Sequence, residues 1–222
     1  MYPCQVARTR NPEVATRLLE AAARVLSEEG RAAVTARRLA SEVGTSTMAV
    51  YTHFGSMDEL LLAVWREGFA RFGAALDGPP ETPDAVADWA AQGWAYRRFA
   101  LDNRHLYRVM FGDGLSGFHR NDPADEAAAM ATFQSLLARL QRAADAGGLV
   151  IDDLALAGQV VWSMVHGHMT IELTGYLEAN GRDPQAIYAE CLRRLGLAFG
   201  AAPGGLEASL AAGDPRRSVS RR

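Results

Sequence analysis

The chain has 222 residues, of which 49% are hydrophobic and 22% are charged, and its formal net charge is −3. This ordinary globular composition excludes wholesale disorder, and two distant cysteines, Cys4 and Cys191, exclude a disulfide scaffold and show no metal-ligand spacing. Because no run of about 18 apolar residues and no signal-peptide pattern occurs, we expect a soluble, cytoplasmic protein that does not enter a membrane.

The first ten residues are expected to form a flexible arm. Its Arg8 and Arg10 leave two interpretations open, a frayed terminus or an arm that reaches a phosphate or the minor groove. The first helix follows, because Asn11 is a good N-cap and Pro12 suits the first helical position. A stripe of apolar residues at helical spacing continues from there to Gly30, which ends the helix.

Two short helices joined by a tight turn are predicted between residues 35 and 54. Thr35 is a suitable N-cap for a helix over residues 36–43, and Gly44 ends that helix in the left-handed conformation. Ser46 or Thr45 caps the next helix, over residues 47–54. Two helices joined in this way form a helix-turn-helix, whose second helix lies in the major groove of DNA. The outward side of that helix is expected to carry Thr47, Met48, Tyr51 and His53.

The stretch TARRLASEVGTSTMAVYTHFGSMDELL, residues 35–61, resembles the DNA-binding domain of the TetR family of bacterial transcription regulators. One departure is Met57, where the family usually carries a lysine that contacts a phosphate. The resemblance implies three roles. The residues expected to bind phosphates are Thr35, Tyr51 and His53; those expected to face bases or the groove floor are Arg37, Thr47 and Met48; and Ser46 caps the recognition helix.

The rest of the chain also reads as helical, and no stretch alternates with period two. Ser56 and Glu59 form a capping box that opens a helix from Met57, and the proline-rich stretch after Gly78 ends it. Proline at helix starts and glycine after helix ends then recur. Further helices are expected over residues 85–101, 103–110, 123–146, 152–179 and 184–200.

We therefore predict an all-α protein of about nine helices. Residues 11–56 form a helix-turn-helix DNA-binding domain, and residues 57–78 form a connecting helix. Residues 79–200 form a helical ligand-binding and dimerisation domain. Residues 201–222, rich in Gly, Ala, Ser and Arg, are expected to be a flexible tail.

The second domain is rich in aromatic and methionine side chains. Core packing explains such residues in most proteins, and a cavity for a small apolar molecule is the alternative. The candidate ligand-binding residues are Trp94, Phe99, Tyr107, Met110, Phe111, Phe133, Trp162, His166 and Met169. His166 and His168 are two positions apart and point to different sides of a helix, so a shared metal ion is not expected.

The segments YRRFALDNRHLYRVMF, residues 96–111, and WSMVHGH, residues 162–168, resemble the regulatory domain of a TetR subgroup named for its Trp-His-Gly signature. This resemblance implies an all-helical domain that senses a ligand and pairs with its copy. The expected partners are double-stranded operator DNA, a second identical subunit and a small-molecule effector.

The function predicted is that of a ligand-responsive repressor released from a palindromic operator by a small hydrophobic molecule. Two alternatives stay open, a helical protein-interaction module and a TetR-like activator without a small-molecule inducer. An enzyme is not expected, because the chain carries no glycine-rich phosphate loop, no HExxH and no GxSxG motif. No cofactor is expected either.

Overall fold

The computed structural model describes residues 11–112 and 122–214. Within these ranges the chain forms helices, one 3-10 turn at Arg31–Ala33 and no strand, which confirms the predicted all-α class. The predicted arm, residues 1–10, and the end of the predicted tail, residues 215–222, lie outside the described residues. The α-helices are α1 (Pro12–Glu29), α2 (Ala36–Val43), α3 (Thr47–Phe54), α4 (Met57–Asp77), α5 (Ala85–Asp102), α6 (Arg104–Phe111), α7 (Pro123–Asp145), α8 (Leu154–Glu172), α9 (Tyr176–Ala179), α10 (Pro184–Ala198) and α11 (Pro203–Gly213).

The chain divides into two compact units, and the first comprises residues 1–68 and 105–125. Its core contains Leu18 of α1, Leu39 of α2 and Val50 of α3, all completely buried. α6 belongs to this unit and lies against the first part of α4. A Cβ atom at Gly68 would lie 2.7 Å from Met110 Sδ, so the absence of a side chain at position 68 makes room for Met110.

The second unit comprises residues 69–104 and 126–222. Trp89 of α5 and Tyr188 of α10 are its largest fully buried side chains. The Tyr188 hydroxyl donates a hydrogen bond to the Gly93 carbonyl oxygen at 2.5 Å, so the buried phenol has its polar end satisfied. No helix in residues 11–112 and 122–214 is long and apolar enough to cross a membrane.

The long helix predicted over residues 152–179 is interrupted in the structure. α8 ends at Glu172, and the separate helix α9 begins at Tyr176. Gly175 adopts the left-handed conformation (φ 74°, ψ 8°), and the Thr174 hydroxyl donates to the Ile171 carbonyl oxygen at 2.6 Å. The threonine side chain thus competes for a helical acceptor, and the glycine turns the backbone out of the helix.

The prediction of a flexible tail from residue 201 is wrong for residues 203–213, which form α11. This helix packs along α5, and Leu206 and Ser209 are buried. A Cβ atom at Gly213 would lie 2.5 Å from the Ala87 carbonyl oxygen, so only glycine permits this approach. The small residues that indicated disorder in the sequence are the ones that let the two helices approach closely. α9 and α11 raise the number of α-helices in the described ranges from the predicted nine to eleven.

Candidate nucleic-acid interface and effector cluster

The helix-turn-helix has the predicted helix bounds and caps. Thr35 Oγ1 accepts a hydrogen bond from the Arg38 N–H at 3.2 Å, and Ser46 Oγ accepts one from the Ala49 N–H at 3.2 Å. Gly44 ends α2 with φ 71° and ψ 39°. Each cap satisfies an N–H group that the first turn of a helix leaves unpaired. The turn between α2 and α3 is therefore fixed by local contacts that the sequence specifies.

The solvent-facing side of α3, which we call the recognition face, consists of Thr47, Met48, Tyr51 and Thr52. These positions are spaced i, i+1, i+4 and i+5 and share one side of the helix. Met48 is 66% exposed and Tyr51 is 45% exposed, whereas Val50 on the opposite side is fully buried. Thr52, which was not predicted from the sequence, belongs to this face, and the predicted His53 is half-buried beside it.

One arginine in the described residues 11–68, Arg37, is exposed and has no hydrogen bond or ion pair. Every other arginine in that range is engaged. The engaged groups are Arg17 with the Val43 carbonyl oxygen, Arg24 with Glu28 and Glu42, Arg31 with Asp58, Arg38 with Glu29 and Glu42, and Arg66 with Asp122 and Asp125. Among the predicted DNA contacts, Arg37 is therefore the guanidinium available to a phosphate or a base.

The arginine pairs also hold α2 against α1. Glu42 of α2 accepts hydrogen bonds from Arg24 of α1, at 2.5 Å, and from Arg38, at 2.8 Å. These bonds, and the bond from Arg24 most of all, lower the pKa of Glu42 below its usual value. The network is consequently intact at neutral pH. Its contribution to folding stability would be lost as the pH falls through the lowered pKa of Glu42.

The candidate ligand-binding residues, which we call the predicted effector residues, fall in both units. Tyr107, Met110 and Phe111 belong to the first unit, where the rings of Tyr107 and Phe111 are 4.9 Å apart. The other six belong to the second unit, namely Trp94, Phe99, Phe133, Trp162, His166 and Met169. Tyr107, Met110, Trp94, Phe99 and Met169 are buried, as the core-packing interpretation predicted for such side chains.

Trp162 and His166 form a stacked pair on α8. Their ring centroids lie 4.9 Å apart with an interplanar angle of 14°, and Trp162 is 36% exposed. His166 Nδ1 is 3.2 Å from the Tyr96 hydroxyl of α5, and burial lowers the pKa of this histidine. Neutral His166 thus links an accessible indole to the aromatic core, in which Phe72 lies edge-on to Tyr96 at 5.0 Å.

A buried polar network that the sequence did not predict adjoins this cluster. Arg97 donates two hydrogen bonds to the Glu172 carboxylate, at 3.0 and 2.5 Å, and His168 Nε2 lies 3.1 Å from the same group. Burial lowers the pKa of His168 although Glu172 opposes that shift. The four-residue spacing of His168 and Glu172 was visible in the sequence, but Arg97 is 75 positions from Glu172.

A groove of about 570 Å³ opens elsewhere in the second unit, and the sequence did not predict it. It lies between the starts of α5 and α11 and the loops that follow α7 and α10. Its lining includes Asp84, Val86, Gly148, Leu206 and Ser209, and none of the predicted effector residues contributes to it. The Ser209 hydroxyl donates to the Asp84 carboxylate at 2.8 Å, so the polar groups at this end of the groove are already paired.

Two family profiles match the chain. The profile described as "Bacterial regulatory proteins, tetR family" matches residues 18–64, which contain the helix-turn-helix. The profile described as "Tetracyclin repressor-like, C-terminal domain" matches residues 89–195. Together they cover more than half of the chain, and they assign both regions to one family.

Individual proteins are also similar to the chain. The HTH-type transcriptional regulator Mb1846 of Mycobacterium bovis is 28% identical over 136 residues, which is 58% of this chain and 56% of that protein. The chain therefore matches little more than half the length of this relative. The TetR family regulator PfmR of Thermus thermophilus is 28% identical, with a TM-score of 0.61 over 69% of this chain and 85% of that one. A protein of unknown function from Rhodococcus sp. RHA1 is 25% identical, with a TM-score of 0.72 over 87% of this chain and 99% of that one.

Proposed function

The chain belongs to the TetR family of DNA-binding bacterial transcription regulators, and from this premise we propose that it is a homodimeric repressor which a small hydrophobic molecule releases from a palindromic operator. The observation that carries the proposal is the recognition face of α3. It is exposed, it has no acidic residue, and it is positioned by capped helices on a buried three-helix core. Such a face suits the major groove of DNA.

Dimerisation is supported by an apolar stripe on α8. Leu156, Val160, Met164 and Ile171, which we call the α8 stripe, are all exposed and lie on one side of the helix. Gly167 lies on the same side, and apart from its chain neighbours and the backbone of α8 no atom lies within 4 Å of the position of its missing Cβ. Contiguous exposed apolar surface of this kind marks an interaction site, and a glycine there lets a second helix approach closely.

A two-fold dimer also matches the proposed target. One helix-turn-helix covers one half-site, and two-fold symmetry places two recognition helices about 34 Å apart or at multiples of that distance. A palindromic operator presents its half-sites with the same symmetry. We therefore propose that the α8 stripe pairs with its copy in a second subunit.

The effector is proposed to contact the Trp162–His166 pair. An accessible indole backed by a neutral imidazole and a phenol offers a largely apolar surface with few polar groups, as small-molecule sites do. Release requires that the effector bind more tightly to the state with low DNA affinity than to the state with high affinity. We propose that α4, the predicted connecting helix, shifts between those states.

Tyr51 provides a test of the phosphate contact. Replacing Tyr51 with Phe removes only the hydroxyl, and because a hydrogen bond to a charged group contributes about 1.5–3 kcal/mol, operator affinity should fall at least tenfold. The measurement is a mobility-shift titration at fixed salt, using genomic fragments that the wild type binds. Tyr176→Phe, at an exposed tyrosine of α9, is the matched control. A Tyr51→Phe affinity within twofold of the wild type would remove this contact from the proposal.

Arg37 should determine part of the salt dependence of operator affinity. Each neutralised phosphate contributes about 0.9 to the slope of log affinity against log salt concentration, so Arg37→Ala in both subunits should make that slope shallower by about 2. Arg38→Ala is the matched control, because Arg38 is already paired with Glu29 and Glu42. Equal slopes for the wild type and Arg37→Ala would show that Arg37 does not touch the DNA.

Trp162 tests the effector contact. In Trp162→Ala, the concentration of a releasing compound needed for half-release should rise at least tenfold, because the stacked apolar surface is lost. Operator affinity without the compound should stay within twofold. The measurement is fluorescence anisotropy of labelled operator during titration with each apolar compound that releases the wild type. A collapse of operator affinity itself would instead assign Trp162 a structural role.

A further inference from the structure

The recognition helix lacks the side chains that read purines by paired hydrogen bonds. α3, Thr47–Phe54, contains no Arg, Lys, Asn or Gln, and these are the residues that form bidentate contacts with guanine or adenine in the major groove. Arg37, the unpaired guanidinium of residues 11–68, lies on α2. Hydrogen-bond readout by α3 itself therefore rests on hydroxyl groups and on the half-buried imidazole of His53.

Part of that hydroxyl capacity is already used. The Thr52 hydroxyl donates to the Met48 carbonyl oxygen at 2.8 Å, within the helix. Ser46 Oγ accepts from the Ala49 N–H and serves as the helix cap. Near its start α3 presents the exposed side chain of Thr47 and, beside it, the thioether of Met48.

Met48 is the most exposed large apolar side chain in the described residues 11–68. It occupies the second position of α3, and the N-terminal residues of a recognition helix are those that contact base edges. An apolar partner that covered this side chain, which is 66% exposed, would remove its surface from water and so stabilise the complex. The apolar feature that the major groove offers is the 5-methyl group of thymine.

We propose that Met48 reads the 5-methyl group of one thymine in each half-site of the operator. This assignment rests on the DNA-binding role proposed above and adds the chemical feature that the site recognises. Sequence selectivity at this position then comes from apolar contact with a methyl group. A cytosine, or a thymine without its methyl group, would leave the thioether without an apolar partner.

The test replaces thymines of a bound genomic operator with deoxyuridine, one symmetric pair at a time. Deoxyuridine pairs with adenine as thymine does but lacks the methyl group. Burial of one methyl group changes an equilibrium constant about fourfold, so the wild type should lose about fifteenfold in affinity when both half-sites lack the contacted methyl. Met48→Ala should bind the unmodified operator more weakly and should not respond to deoxyuridine at that position.

Controls separate this inference from the proposed function. Met130→Ala, at an exposed methionine of α7, should keep both the affinity and the deoxyuridine effect, and thermal unfolding should show that Met48→Ala folds normally. The inference is overturned if no thymine position changes wild-type affinity by more than twofold. It is also overturned if Met48→Ala keeps the wild-type response. In both cases the wild type still binds the operator, whereas failure to bind any genomic fragment would refute the proposed function as well.

Discussion

A Val160→Arg variant is expected to be monomeric at micromolar concentration and to bind operator at least a hundredfold more weakly than the wild type. Val160 lies in the middle of the α8 stripe and is exposed. Two-fold pairing would bring two arginines together in an apolar interface, and buried like charges without partners are strongly unfavourable. A monomer engages one half-site and loses the contribution of the second.

Sedimentation equilibrium measures the oligomeric state, and fluorescence anisotropy with a labelled operator measures the affinity. Met130→Arg places the same charge at an exposed apolar position of α7, outside the α8 stripe, and should remain dimeric and bind normally. If Val160→Arg remained a dimer with unchanged affinity, the α8 stripe would not be the dimer interface.

Replacing Glu172 with Met is expected to lower the free energy of unfolding by about 3–5 kcal/mol. The side chain of Glu172 is 4% exposed and that of its partner Arg97 is 14% exposed. Removal of the carboxylate leaves the Arg97 guanidinium buried without its counter-charge, which costs more than the ion pair itself contributes. Urea unfolding followed by circular dichroism measures the loss.

The double variant Arg97→Met/Glu172→Met separates this cause from a loss of packing. With both charges removed, most of the lost stability should return, because apolar side chains of similar volume can replace a buried ion pair. Recovery should be partial, since His168 still lacks its acceptor. Additive losses in the double variant would show that the unpaired Arg97 charge is not the cause, as would a single-variant loss below about 1 kcal/mol.

The parts of the fold that the sequence predicted correctly are set by local contacts. Asn11, Thr35 and Ser46 each accept a hydrogen bond from a nearby N–H group, and those caps fix the starts of the first three helices. Such signals operate within a few residues of chain, so one sequence is enough to locate them. The same bounds and helical periodicity predict Thr47, Met48 and Tyr51 of the recognition face, but they did not separate the exposed Thr52 from the half-buried His53.

The features that the sequence did not predict depend on contacts between distant residues. The tail became α11 because Ser209 and Gly213 fit against the start of α5, more than a hundred positions earlier, and Leu206 fits against Gly196 of α10. Arg97 and Glu172 look like ordinary surface charges until the fold brings them together. The helix break after Glu172 does have a local signal in the sequence, Thr174-Gly175. The apolar pattern on either side of it concealed that signal.

The predicted effector residues show the same limit. Aromatic and methionine content indicated a cluster, and the structure brings Trp162 and His166 together with Tyr96. Composition did not separate these side chains from Trp94 and Met169, which are buried in the core. Accessibility makes that distinction, and it depends on the packing of whole helices.

Selection of genomic DNA fragments with the purified protein at about 0.15 M salt shows whether a dimer of this chain recognises a palindromic operator. We expect enrichment of fragments that share an inverted repeat, with half-site centres about 10–10.5 base pairs apart or at multiples of that spacing. Enrichment should be lost for Tyr51→Ala. Recovery of fragments without a shared repeat, at the level of random genomic DNA, would contradict the claim.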